Sequence, residues 1–137
     1  MNPRLVGKIA LRGAIVALIL ATGYIHFTLG GVIFTATAAG YLALAVAMGA
    51  PIGIAHDLRW LTRLAVMAFA AGTIGAWVLQ GHPVFFQSVA AKTIEVVLIG
   101  LVAAEQWIEV GSPIVVARKL LTVGTQVVGV VRAGAAA

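Results

Sequence analysis

The chain has 137 residues, of which 62% are hydrophobic and only 9% charged, with a formal net charge of +5 and no cysteine. A water-soluble domain holds about 45–50% apolar and about 25% charged residues, so this composition excludes an ordinary soluble fold and points to lipid as the solvent. The missing cysteines exclude disulfides, thiolate metal sites and cysteine nucleophiles, and the basic residues are too dispersed to form a nucleic-acid-binding face.

Met1 to Arg12 carries Arg4, Lys8 and Arg12 with no acid. A basic prefix before an apolar run has the form of a signal peptide. The run from Leu11 to Leu29 exceeds a signal core, however, and the small residues Ala21-Thr22-Gly23 are followed by more apolar sequence. It therefore reads as a first spanning helix over about 11–29, with Tyr24 and His26 at the depth where amphipathic rings favour headgroups. Gly30-Gly31 is the break before a second run, 32–50, ended by Pro51. Ala36, Gly40, Ala43 and Ala47 recur on it at steps of three and four, a face suited to close helix packing.

Between Ala55 and Arg63 lie His56, Asp57, Arg59 and Trp60, a polar connection in which Asp57 suits a helix start. His56 and Asp57 are adjacent without a third ligand, so no metal site is read there. A third span covers about 60–80, with Trp60 and Trp77 near opposite ends as interfacial anchors and Ala68, Gly72 and Gly75 as a packing stripe. Gln80-Gly81-His82-Pro83 makes a compact turn. The fourth span, about 84–107, carries Lys92 and Glu95 near its middle and ends in Glu105, Gln106, Trp107 and Glu109, read as an interfacial cluster with Trp107 as anchor.

Gly111-Ser112-Pro113 breaks that helix, with Ser112 placed to cap and Pro113 to begin the next. Over about 113–132, Arg118, Thr122, Thr125, Gly129 and Arg132 take one side, and Val116, Leu120, Val123, Val127 and Val130 the other. That pattern fits an amphipathic helix lying on the membrane surface; a fifth crossing would be interrupted by Arg118 and Lys119. The final Ala-Gly run is expected to fray. In a four-span threading every lysine and arginine except Lys92 falls on the side of the N-terminus, and the turns around Gly30 and His82 carry none. The positive-inside rule then places both termini in the cytoplasm of a bacterial inner membrane. The expected fold is all-α: one integral membrane domain over 1–137, a four-helix bundle with a C-terminal amphipathic interfacial helix.

The chemistry centres on Lys92 and Glu95. They lie three residues apart, on one helix face, at a depth where a lone charge costs about 3 kcal/mol. Mutual neutralisation and bonding to Thr22, Thr35, Thr73 or Gln87 give a structural reading. A functional reading makes Glu95 a proton or cation site, with Lys92 tuning it and His26 relaying protons outward. His26 also raises haem or chlorophyll ligation, with His82 in the same outer region as its companion. A histidine bonded to backbone is the competing explanation. Phosphate loops, nucleophile elbows and His-Glu-x-x-His are all missing, so no enzyme is expected.

Gly23-Tyr24-Ile25-His26-Phe27, Ala71-Gly72-Thr73-Ile74-Gly75 and the charged fourth helix resemble small four-helix membrane proteins of unassigned function found in bacteria. The resemblance covers the four spans and implies the same fold, with no activity. Two expectations follow. One is a non-catalytic subunit that packs in the bilayer against larger partners in a respiratory or photosynthetic complex. The other is a small proton- or cation-coupled transporter or channel, self-assembled because four short spans enclose little room. Neither involves nucleic acid.

Overall fold

The computed structural model describes residues 2–50, 53, 57–81 and 83–135, with no side-chain description at 127 and 129–135. Pro51, His56 and His82 lie outside the described residues. Five helices account for nearly all of the rest: α1 Pro3–Leu29, α2 Val32–Gly49, α3 Arg59–Leu79, α4 Phe86–Glu109 and α5 Pro113–Ala135. Among the described residues there is no strand. Helices α1 to α4 are each long and apolar enough to cross a membrane.

The helix ends follow from local chemistry. α1 starts eight residues earlier than the hydropathy predicts, because Asn2 caps it by accepting from the Arg4 amide at 3.0 Å and Pro3 needs no donor partner. Gly30 and Gly31 take φ of 71° and 82°, a left-handed region that side chains disfavour, and so turn the chain between α1 and α2. The residue capping α3 is Leu58, which offers no side-chain bond, rather than Asp57. Ser112 serves α5 through its carbonyl, which accepts from Val115 and Val116. α5 continues through Ala135, past the predicted fraying point.

The chain divides into two compact units, Met1–Glu105 and Gln106–Ala137. In the first, α1 packs along α2 and α2 against α3. Its core is Ile15 and Ile19 of α1, Tyr41, Ala45 and Met48 of α2, Val66 of α3, and Leu98 and Val102 of α4. α4 turns one face inward at alternating steps of three and four: Ser88, Ala91, Glu95, Leu98, Val102, Glu105. That is the seam spacing of packed helices. Of its apolar window 28% is buried, against 17% for each of the other three spans, so α4 is the most enclosed. Outward the helices are apolar: Tyr24 is 69%, Ile33 77% and Val96 60% exposed, as expected where lipid rather than water surrounds them. In the second unit, Arg118, Thr122 and Thr125 of α5 are exposed and Val116 is buried.

Small residues act unevenly. A Cβ at Gly40 would lie 2.6 Å from Phe69 Cζ, so α2 meets the α3 side chain there only because the position is glycine. At Gly72 and Gly75, expected to pack as well, a Cβ would meet nothing within 4 Å. Spacing marks a face of small residues but not whether a neighbour approaches it. The tryptophans diverge too. Trp60 is only 6% exposed, shielded by protein instead of presented to headgroups. Trp77 is half-buried and donates from Nε1 to the Pro83 carbonyl at 3.2 Å, tying the end of α3 to the loop. Trp107 is 61% exposed.

Candidate functional site

Glu95 is completely buried. In hydrocarbon its carboxylate needs donors from neighbouring helices, and it has them. Lys92 Nζ donates to Oε2 at 2.7 Å from the preceding turn of α4. Tyr41 of α2 donates its hydroxyl to Oε1 at 2.9 Å, and Thr22 of α1 donates to the same oxygen at 3.2 Å. Tyr41 is held in turn: Phe69 of α3 sets its edge on the ring at 87° and 4.9 Å, and Thr73 Oγ1 lies 3.1 Å from the phenol oxygen. A Cβ at Gly23 would approach Tyr41 Cβ to 3.1 Å, so the bare glycine lets the tyrosine stand close to α1.

His26 completes the cluster, one turn beyond Thr22. Its Nδ1 lies 2.8 Å from the Thr22 carbonyl oxygen. A carbonyl only accepts, so Nδ1 carries the proton and Nε2 faces Glu95 Oε1, 3.7 Å away. The ring also packs at 5.5 Å on Tyr41. A cavity of about 120 Å³ reaches this group from the end of the helices where Gly30 and Pro83 lie; its wall includes His26, Thr37, Thr73, Trp77, Ser88 and Lys92. Ser88 donates to the Pro83 carbonyl at its margin.

Below Glu95 the lining changes. Ile15, Ile19, Met48, Val66, Leu98 and Val102 are all 0% exposed and form a dry layer. Beyond it is a second buried acid. Glu105 Oε2 accepts from Arg63 Nε of α3 at 2.8 Å, and Oε1 accepts from Arg12 of α1 at 3.0 Å from Nε and 2.9 Å from Nη2. Nearby on α3, Arg59 donates to the Ala50 carbonyl.

Lys92 and Glu95 therefore pair as their spacing implies, with Thr22 as a direct partner. Thr73 reaches the acid only through Tyr41, and Thr35 and Gln87 are exposed. Glu105, expected in an interfacial cluster, is instead a buried ion-pair centre. Sequence reasoning allows Tyr41 to bond across to a neighbouring helix but does not bring it to Glu95, nor Arg12 and Arg63 to Glu105. The alternating three–four step from Ser88 to Glu105 is the sequence signal that puts both acids on one inward face. The bond from His26 Nδ1 to a carbonyl leaves Nε2 with the lone pair that haem or chlorophyll ligation would use, and that lone pair is directed at Glu95. Among the described residues no group of three histidine, aspartate or glutamate side chains is placed to hold a metal ion. No family model, curated protein or solved structure matches the chain.

Proposed function

We propose that this chain is a small, non-catalytic protein of the bacterial cytoplasmic membrane. In this reading α1 to α4 form a four-helix bundle with both termini in the cytoplasm, and α5 lies amphipathically on the inner surface. The protein serves as a subunit packed against larger membrane partners in a complex of respiratory or photosynthetic type. What carries the reading is the layer of six fully buried apolar side chains between the two acids, which offers no polar group to relay a proton. An apolar groove of about 360 Å³ along α1 and α2, lined by Leu20, Tyr24, Phe27 and Leu42, offers surface to a neighbouring span.

A second reading, a proton- or cation-coupled transporter assembled from copies of this chain, is favoured by the approach of His26 to Glu95 beside a cavity that has His26 and Lys92 in its wall. Extraction in mild detergent followed by native mass measurement separates the two. Stable co-purification of other chains supports the subunit. A homo-oligomer whose proton flux in liposomes is lost in Glu95→Gln supports the transporter. Cysteines placed at positions 4 and 59 should label from one face of the membrane, and labelling from opposite faces would overturn the threading.

A further inference from the structure

We propose that His26 Nε2 and Glu95 Oε1 together form a binding site for one exchangeable proton, supplied from the Gly30 end of the helices. The inference rests on the membrane-embedded reading but not on whether the chain is a subunit or a transporter.

The argument begins with donors and acceptors. With Nδ1 bound to the Thr22 carbonyl, the neutral ring of His26 presents a lone pair at Nε2. What it faces, at 3.7 Å, is an oxygen that already accepts from Thr22 and Tyr41. When the ring is neutral and Glu95 ionised, two acceptors confront each other across this gap. A buried confrontation of this kind is relieved by one proton, on either atom. On Nε2 it makes an imidazolium beside its counter-ion; on Oε1 it makes a carboxylic acid that donates to the imidazole.

The surroundings keep both states available. The titratable and charged groups facing the pair are Lys92 from α4 and Tyr41 from α2, while α3 contributes the neutral Thr73. Lys92 and Glu95 neutralise each other, so the added proton brings one net charge, shared with a carboxylate at van der Waals distance. Delivery is one-sided. The cavity places His26 and Lys92 in its wall, whereas Leu98 and Val102 close the other side. In the binding step hydronium in the cavity gives its proton to Nε2, leaving water; in release water takes it back.

Histidine-selective nitrogen NMR on the full chain in nanodiscs tests this, with His26→Gln assigning the signal. Between about pH 9 and about pH 5, the range that histidine samples, His26 should pass from the Nδ1-protonated neutral ring to the doubly protonated form, or report a shared proton by exchange broadening. Glu95→Gln, which removes the carboxylate that faces Nε2, should abolish the shared-proton broadening. Tyr41→Phe, which keeps the packing, should change it less. In sealed, oriented liposomes only pH on the Gly30 side should shift the signal within the mixing time. A His26 spectrum constant over the whole range would overturn the proposal. So would an unchanged titration in a folded Glu95→Gln protein, or equal response from both faces.

Discussion

Glu95 and Glu105 sit ten residues apart on one helix, roughly 15 Å along its axis, and both are buried. Glu105 is held by two guanidiniums, which keep their charge at any ordinary pH. Glu95 is held by one ammonium and two neutral hydroxyls, with an imidazole standing off at 3.7 Å. The first arrangement joins α1, α3 and α4 through charged donors alone. The second has hydroxyls that can reverse and a ring that can gain a proton. A membrane helix can thus carry two acids on one face and use them oppositely, according to whether their partners are permanent ions or adjustable dipoles.

The largest effect that separates them should come from Glu105→Gln. It removes the carboxylate to which both Arg63, at 4% side-chain exposure, and Arg12, at 29%, are bonded. Breaking a buried pair costs about 3–5 kcal/mol. We expect a loss of that order in detergent unfolding titrations, recovered in part when Arg63→Gln is added. A loss below about 1 kcal/mol would make the Glu105 cluster a solvated surface pair and remove one side of the comparison.

Glu95→Gln should cost less, about 1.5–3 kcal/mol, the value of a hydrogen bond to a charged partner, because Thr22 and Tyr41 can still bond an amide oxygen and Lys92 borders the cavity. Combining it with Lys92→Met removes both charges, and replacing a buried pair by neutral groups of similar size is often close to neutral. The double variant should therefore unfold near wild type while losing the His26 response. If the double is worse than Glu95→Gln alone, Lys92 has a role beyond neutralising the acid.

The spans themselves were legible in composition, because every apolar run is long enough to cross hydrocarbon and is punctuated by Gly30-Gly31, Pro51, Gly81-His82-Pro83 or Gly111-Ser112-Pro113. The Lys92–Glu95 pair was legible too, from helical spacing alone. What was not legible depends on which helix lies beside which. Arg12 and Glu105 are 93 residues apart and Tyr41 and Glu95 54 apart, and no local periodicity links them. Polar residues and tryptophans near span ends are ordinarily assigned to headgroups, so sequence position alone puts Glu105 and Trp60 at the interface. Burial by neighbours overrode depth in both. Spacing likewise marks Gly72 and Gly75 as a small-residue stripe without telling what covers it, and among the described residues a Cβ there meets nothing within 4 Å.

The smallest predicted effect tests the comparison most narrowly. Tyr41→Phe keeps the ring that Phe69 and His26 pack on, and removes only the hydroxyl that links Thr73 to Glu95. One net hydrogen bond is worth roughly 1 kcal/mol, and Thr22 and Lys92 remain on the carboxylate, so thermal unfolding in micelles should show a drop of that size. No comparable substitution exists at Glu105, where both donors are ions and trimming either removes a charge as well as a hydrogen bond. A Tyr41→Phe loss as large as that of Glu105→Gln would mean the phenol is as indispensable as a guanidinium. The Glu95 cluster would then be as rigid as the other, with no freedom left for a proton to exchange.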